Sequence, residues 1–422
     1  MRKLIAFISE HASPLAVLGG VDSGGQNVYV AETAKQLAKM GFEIDIFTRW
    51  ENPEVPKIVR WLPGIRVIHV KAGNVTILPK EELLKHMSEF RDDMIDFILK
   101  ENRPYSLIHA HFFMSALVAA DIKKILDIPF IVTFHALGMI RRIFQGPNDA
   151  FPPERIDIEK RVAREADYIV AECPQDKADL VEHYNADRNK ILIIPCGFSN
   201  QEFFPVNKIE ARKLLNLHPS DKILLQLGRM VQRKGIDNVI KALACLKRNG
   251  CSCKLVIVGG ECGNGDLDND PECRRLKKIA REENVLDDII FTGRKSRKEL
   301  KYYYSAADVF ITTPWYEPFG ITPLEAMACG TPVIGSNVGG IKFSVADGET
   351  GFLVPPTDPV AVAEKVTLLL QNEELAERMK RNALVRVNKM FTWRNVCVQL
   401  SNLYNKLGMF KSEYHEVKSC IS

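Results

Sequence analysis

The stretch Tyr316-Glu317-Pro318-Phe319-Gly320-Ile321-Thr322-Pro323-Leu324-Glu325-Ala326-Met327-Ala328-Cys329-Gly330-Thr331-Pro332 follows the strand-like Val309-Phe310-Ile311-Thr312 and leads into Val333-Ile334. Thr322 predicts an N-cap, Pro323 the first helical position and Gly330 the stop. Glu317 then sits on the loop before a helix and Glu325 in its first turn. Two carboxylates converging at the carboxyl end of a strand suit a ligand rich in hydroxyls. Thr322-x-x-Glu325 also fits a capping box, in which Glu325 reaches back to a backbone N–H. Glu317 could equally be a solvated loop carboxylate.

Outward from this segment, short apolar runs alternate with helical patterns along nearly the whole chain. Strands are predicted at Lys3–Ile8, Glu43–Thr48, Arg66–Val70, Ser106–Ala110, Phe130–Thr133, Tyr168–Ala171 and Lys190–Ile194. Further strands are predicted at Lys222–Leu227, Lys254–Val258, Ile289–Thr292, Val309–Thr312 and Pro332–Ser336. Helices are predicted between them, at Asn27–Met40, Lys80–Lys100, Met114–Leu126, Glu154–Ala166 and Gln175–His183, then at Gly235–Asn249, Glu272–Glu283, Arg297–Ala306, Pro359–Leu370 and Glu373–Lys389. Such alternation means parallel sheets covered by helices on both faces. It breaks at Pro195–Pro205, a linker. The expected fold class is therefore α/β, with two doubly wound, Rossmann-like domains, residues 1–200 and 206–390, facing across a cleft. Trp393–Lys406 adds a last helix, and Met409–Ser422 reads as a frayed polar tail.

Bulk properties narrow the function classes. The 422 residues are 46% hydrophobic and 26% charged, as in ordinary globular proteins. A net charge of +4 is too mild to argue for nucleic acid, though it leaves room for an anionic substrate or peripheral contact with a membrane surface. The N-terminal apolar run is short and broken by Glu10 and His11, so it reads as a buried strand rather than a signal peptide. No apolar stretch approaches the roughly 20 residues of a membrane span. Among the ten cysteines, the only cluster is Cys251-Ser252-Cys253 with Cys262 and Cys273. Its spacing fits no zinc pattern, and reduced thiols of a cytoplasmic enzyme are the better reading.

Two further segments suit an anion. The loop from His11 to Asn27 carries Gly19-Gly20 and Gly24-Gly25 and opens into a helix, whose first N–H groups are free to meet a phosphate. It is neither a Walker loop nor G-x-G-x-x-G, which disfavours a dinucleotide-dependent hydride transferase. In Leu225-Gln226-Leu227-Gly228-Arg229-Met230-Val231-Gln232-Arg233-Lys234-Gly235, a strand empties into a turn bearing Arg229 and Lys234. Those two cations suit a departing diphosphate. His135 ends the strand Phe130–Phe134, where its ring could bond a sugar hydroxyl or serve only the structure. His109 and His111 read as structural.

Together these residues carry a resemblance. The chain resembles the retaining glycosyltransferases of family 4, which have the GT-B fold, from the Gly24-Gly25 loop through Arg229…Lys234-Gly235 to the Glu317…Glu325 element. In similar enzymes a C-terminal helix crosses back onto the first domain, a role that residues 392–410 would fill. The resemblance implies transfer of a sugar from a nucleoside diphosphate, UDP by default, with retention at the anomeric carbon. It places Glu317 on the donor sugar's hydroxyls, Glu325 on the ribose, and Arg229 and Lys234 on the diphosphate. Gly24 and Gly25 would meet the outer phosphate, His135 the sugar, Arg294 the base, and Phe319 and Gly320 would belong to the donor loop. His135, Arg229, Lys234 and Glu317 are thus the expected catalytic residues. In front-face departure the leaving phosphate helps deprotonate the acceptor, so no metal or other cofactor is expected, and a homodimer is left open.

The first 50 residues are nearest the branch holding the mycothiol-pathway inositol-phosphate N-acetylglucosaminyltransferases and the sucrose-phosphate synthases. His11, Asp22, Gln26, Asn27, Lys80 and Arg155 match positions that meet substrate there and are the expected acceptor-binding residues. Where the mycothiol enzymes carry a tyrosine and a threonine, this chain has Phe112 and Ala136. Losing two hydroxyl donors costs on the order of 1 kcal/mol or more each, which argues against the same acceptor. Arg141 and Arg142 could receive an anionic group, although a solvated basic face is the simpler reading. The acceptor is a hydroxyl compound: a sugar phosphate, inositol phosphate, lipid-linked sugar or small metabolite. The alternative is a catalytically silent GT-B subunit that binds nucleotide or a partner. Such subunits usually lose a phosphate cation or a glutamate, and this chain keeps both.

Overall fold

The computed structural model describes residues 3–16, 24–260, 267 and 269–419. The chain divides into two units: one runs to Pro195 and takes the chain back from Trp393, and the other spans Cys196–Thr392. In the first unit the strands are β1 (Leu4–Ile8), β2 (Glu43–Arg49), β3 (Ile58–Leu62), β4 (Ile65–Val70), β5 (Leu107–His111), β6 (Phe130–Thr133), β7 (Tyr168–Ala171) and β8 (Ile191–Ile193). Its helices are α1 (Gly25–Lys39), α2 (Met87–Glu101), α3 (Phe113–Leu126), α4 (Gly138–Gln145), α5 (Arg155–Glu165) and α6 (Pro174–Tyr184). The sheet order is β3-β4-β2-β1-β5-β6-β7-β8, parallel except for β3 against β4.

The second unit contains α7 (Lys208–Leu214), β9 (Ile223–Leu227), α8 (Ile236–Arg248), β10 (Lys254–Val258), α9 (Pro271–Glu282), β11 (Ile289–Phe291) and α10 (Arg297–Ala306). It continues with β12 (Val309–Thr312), α11 (Ile321–Ala328), β13 (Val333–Ser336), α12 (Ile341–Ser344), β14 (Gly351–Val354), α13 (Pro359–Gln371) and α14 (Glu373–Met390). Its all-parallel sheet has the order β11-β10-β9-β12-β13-β14. Both units are thus Rossmann-like α/β sheets. In each, the strand order reverses once at the centre, between β1 and β5 and between β9 and β12. A doubly wound sheet opens a crevice for ligands at that reversal, beyond the carboxyl ends of its strands.

Helix cover on both faces explains the strand sequences. Every residue of β1, Leu-Ile-Ala-Phe-Ile, is buried, as is every residue of β9 and β12. The first core gathers Phe90, Met94, Phe113, Phe130 and Val132; the second gathers Val239, Leu243, Ile257, Ile311 and Val366. The antiparallel edge strand β3 differs from the doubly covered strands in that none of its residues is fully buried. α4, α7, α12 and β14 are too short for a periodicity to register. The predicted helix Lys80–Lys100 is two 3₁₀ turns, Lys80–Glu82 and Leu84–His86, followed by α2.

The last helix, α15 (Trp393–Ser419), returns to the first unit and runs past Met409, where a frayed tail was expected. Trp393, Val396, Cys397, Leu400 and Tyr404 are buried. The Tyr404 hydroxyl lies 2.7 Å from Nδ1 of the fully buried His109, whose Nε2 lies 2.8 Å from Thr133 Oγ1. Among the described residues no helix is long and apolar enough to cross a membrane. Tyr404→Phe leaves a buried imidazole nitrogen without its partner, at a cost of about 1–3 kcal/mol. Calorimetry is expected to show a lower unfolding midpoint for the first unit, and an unchanged midpoint would contradict this anchoring role.

Candidate active site

In the second unit, the turn from β9 to α8 and the loop after β12 meet at the strand reversal. Gly235 makes this contact close: it lies in the left-handed region at φ 63°, and a Cβ there would come within 2.0 Å of the Thr313 carbonyl oxygen. Thr313 Oγ1 donates to the Gly235 carbonyl at 2.8 Å, and the Trp315 N–H donates to the Arg233 carbonyl at 2.9 Å. The Gly340 N–H donates to the Glu317 carbonyl at 3.2 Å. So held, Glu317 Oε2 receives the Lys234 ammonium directly, with Arg233 Nη1 3.5 Å away. The Arg233 guanidinium lies over the Tyr316 ring at 5.3 Å. Arg229 is exposed just beyond the end of β9.

Charge follows from this packing. Burial alone would raise the Glu317 carboxyl, but Lys234, Arg233 and Arg229 outweigh it and hold the group below the ordinary carboxylate range. Burial lowers the Lys234 ammonium, Glu317 opposes that shift, and the neighbouring arginines add to it. Three cations therefore surround one carboxylate, a local positive excess that suits a diphosphate. Arg233 was not singled out from the sequence. Its place beside Lys234 in a 3₁₀ turn is what brings it in.

Glu325 differs from expectation. α11 starts at Ile321, with Gly320 as N-cap at φ 87°, so Thr322 lies inside the helix and Glu325 beyond its first turn. No capping box forms. The carboxylate is 2% exposed, 3.0 Å from Arg297 Nη1 and 3.0 Å from the Tyr304 hydroxyl, which donates to it. Arg297 in turn reaches Glu202 at 2.7 Å and lies over the Phe203 ring. Burial raises the Glu325 carboxyl despite Arg297 and Tyr304. A carboxylate has about four lone-pair sites, so two contacts leave capacity for a hydroxyl. The Phe319 ring is buried against Phe391. Arg294 follows β11, and Gly293 beside it accepts the Gly259 N–H at 3.1 Å.

In the first unit, the predicted polar residues lie at or near the carboxyl ends of the strands, several of them tied to protein partners. Asn27 accepts the Gly24 N–H at 2.9 Å and donates to the Ser13 carbonyl at 3.0 Å, which holds Gly24 and Gly25 at the start of α1. Gln26 donates to Ser9 Oγ at 3.2 Å and to the His111 carbonyl at 3.3 Å. His11 Nδ1 lies 2.7 Å from Glu10, and Glu10 also receives Ser115. Lys80 lies in a 3₁₀ turn, with Glu81 3.9 Å away. The buried Arg49 donates to the carbonyls of Ala72, Asn74 and Thr76 and so fixes the loop before Lys80. Asp22 lies outside the described residues.

Arg155 is enclosed. Its guanidinium sits over Phe112, Phe113 and Phe151 at 4.6–4.8 Å, with Nε donating to Glu159 at 2.7 Å and Nη2 to the Ala136 carbonyl at 2.5 Å. Only Nη1 is without a hydrogen-bond partner among the described residues. Arg141 is paired with Asp149 at 3.0 Å. His135 sits at φ 58°, a strained conformation for a non-glycine residue that costs of order 1–3 kcal/mol. Its ring lies between Glu172, 3.0 Å from Nδ1, and His111, 3.1 Å from Nε2. His111, read as purely structural in the sequence, is therefore in direct contact with His135.

Comparison with known proteins follows the same division. The family description "Glycosyltransferase Family 4" matches residues 23–202 and "Glycosyl transferases group 1" matches residues 178–386. The D-inositol 3-phosphate glycosyltransferase of Corynebacterium glutamicum (strain R) is 35% identical over 408 residues, covering 95% of this chain and 96% of the relative. This chain belongs to glycosyltransferase family 4. A second relative of the same name, from Acidothermus cellulolyticus, is 33% identical over 95% of this chain and 89% of its own. Among solved structures, sucrose-phosphate synthase from Thermosynechococcus elongatus is 34% identical with a TM-score of 0.87, over 96% of this chain and 99% of that one. Anabaena HepE, solved with UDP and glucose, is 17% identical with a TM-score of 0.73, over 95% of this chain and 99% of that one, and shares the fold. The family 4 chain is accordingly a glycosyltransferase.

The lowered Glu317 carboxyl makes a signed prediction. A folded-state value below the ordinary 4.5 means that the stabilisation is present above that pH and is lost as pH falls through the folded value. Carbon-13 NMR is expected to show Glu317 titrating below 4.5. In Lys234→Met its midpoint should move upward, because burial then acts against fewer cations. An unmoved midpoint would contradict the pairing.

Proposed function

We propose that this glycosyltransferase moves a sugar from a UDP-linked donor to a hydroxyl acceptor, with retention and without a metal ion. The observation that carries this reading is the cluster of Arg229, Arg233, Lys234 and Glu317 at the reversal of the second sheet. Arg229 and Lys234 hold the diphosphate. As the bond from the anomeric carbon to the diphosphate oxygen breaks, that oxygen keeps the electron pair, and the cations stabilise the charge it gains. The acceptor oxygen forms its bond on the same face and its proton passes to the departing phosphate. Glu317, freed from Lys234 when the diphosphate takes the ammonium, accepts from the sugar hydroxyls. Glu325 holds the ribose, Arg294 and the Phe319-Gly320 backbone line the donor, and His135 addresses the sugar. Side-chain cations supply the charge neutralisation, which is why turnover needs no divalent ion.

The donor is found by screening nucleotide sugars for slow hydrolysis and then adding acceptor pools, with and without EDTA. UDP-sugar turnover that resists EDTA is expected. A folded protein that binds and hydrolyses no donor would refute the reading. Glu317→Gln should cut kcat by about 100-fold, within the range of single electrostatic groups, and leave UDP affinity within a few-fold. Equal losses in both would contradict the assigned role.

The relatives' acceptor fits this chain less well. Phe112 is buried, its ring against the Arg155 guanidinium at 4.8 Å, and neither it nor Ala136 offers a hydroxyl. We expect a hydroxyl acceptor other than D-inositol 3-phosphate to be preferred, with Lys80 meeting an anionic group on it in exchange for its present contacts, Arg155 through Nη1 alone, and His11, Gln26 and Asn27 shaping its surroundings. Phe112→Tyr combined with Ala136→Thr should raise kcat/KM for D-inositol 3-phosphate about 10-fold, the worth of two modest hydrogen bonds. No gain would mean that other residues set acceptor choice.

A further inference from the structure

β5, β6 and β7 end side by side, and three polar side chains at or just beyond their ends meet at one point: His111, His135 and Glu172. Glu172 is almost wholly buried, 3.0 Å from His135 Nδ1. Behind it, Asp176 accepts the Glu172 backbone N–H at 3.0 Å, and burial, then the Glu172 charge, push the Asp176 carboxyl up to about 8. The group that faces the ring is the Glu172 carboxylate, by its contact with Nδ1. A carboxylate only accepts, so the nitrogen facing it carries a proton.

The other side of the ring is equally constrained. His111 is fully buried, and burial, reinforced by His109 and His135, pushes it well below the ordinary histidine range, so it is neutral with one N–H. Its Nε2 has no hydrogen-bond partner among the described residues. A buried lone pair left over is tolerated better than a buried N–H left over, which puts the His111 proton on Nδ1, facing His135 Nε2. The His111 and His135 rings stack with an interplanar angle of 20°, and Tyr29 meets the His135 ring edge-on. The strained turn is held by the Ala136 N–H on the Phe134 carbonyl at 2.7 Å.

We propose that Glu172 is a positioning residue for His135: it pins the proton on Nδ1, leaving Nε2 as an acceptor that a donor-sugar hydroxyl shares with the His111 N–H. The inference rests on the place given to His135 in the proposed reaction. Glu172 resembles in its task the carboxylate of a catalytic triad, where loss of charge leaves the shape intact but frees the wrong tautomer.

The test uses the full-length chain, labelled with nitrogen-15 histidine, with His135 assigned by comparison with His135→Asn. The wild type should show the Nδ1–H tautomer. Glu172→Gln should populate the Nε2–H tautomer and lower kcat about 10-fold or more with UDP affinity unchanged. Glu172→Asp, which keeps the carboxylate, should retain the Nδ1–H tautomer, and it carries the test if the glutamine variant fails to fold. An unchanged tautomer in Glu172→Gln, or loss of the Nδ1–H tautomer in Glu172→Asp, would overturn the inference whatever the rate does. A shifted tautomer with unchanged turnover would uphold the hold on the ring and refute the role of His135 in the reaction.

Discussion

The ion pair between Lys234 and Glu317 is the constraint on which the second unit's site depends. It joins two loops far apart in sequence, made neighbours because the strand order reverses between β9 and β12. Burying both charges is costly, and the pair persists because Arg233 and Arg229 add attraction for the carboxylate while the backbone holds both loops from behind. The arrangement is unbalanced by design of its charges: the cations outnumber the carboxylate. In the proposed reaction a diphosphate restores the balance and releases Glu317 to sugar hydroxyls. One pair then links donor binding to orientation of the sugar.

The first unit answers a different problem, that of keeping polar groups ordered at strand ends. Asn27, Gln26, His11 and Arg155 all spend hydrogen bonds on neighbouring backbone or carboxylates. They set the shape of the loops as much as the chemistry offered to a substrate. Arg155 is the clearest case, because three aromatic rings, Glu159 and the Ala136 carbonyl leave it a single unengaged nitrogen among the described residues. A residue can match a binding position by resemblance and still do much of its work as a strut.

Much of the fold was legible because parallel strands buried on both faces read as unbroken apolar runs. β6, β7, β10 and β12 begin and end at the predicted residues. What failed was local or long-range. The Thr322 cap failed because the rule weighs side chains, whereas here the backbone of Gly320 makes the entry turn. The capping-box reading of Glu325 failed because Arg297 and Tyr304, brought over from α10, claim the carboxylate first. His111 and Glu172 carried no sequence signal, since only the order of β5, β6 and β7 places them on either side of His135. Local spacing named the Lys234–Glu317 cluster's main members, and topology supplied their partners.

In the proposed reaction the cations at the β9–β12 reversal bind a diphosphate, and their contribution is read by comparing UDP with UMP. Calorimetric titration of the full-length wild type should show UDP binding at least about 10-fold more tightly than UMP, since a second phosphate meets charged donors. In Arg229→Met combined with Lys234→Met that preference should vanish while UMP binding persists. A UDP preference that survives the double substitution would mean that Arg229 and Lys234 do not hold the diphosphate.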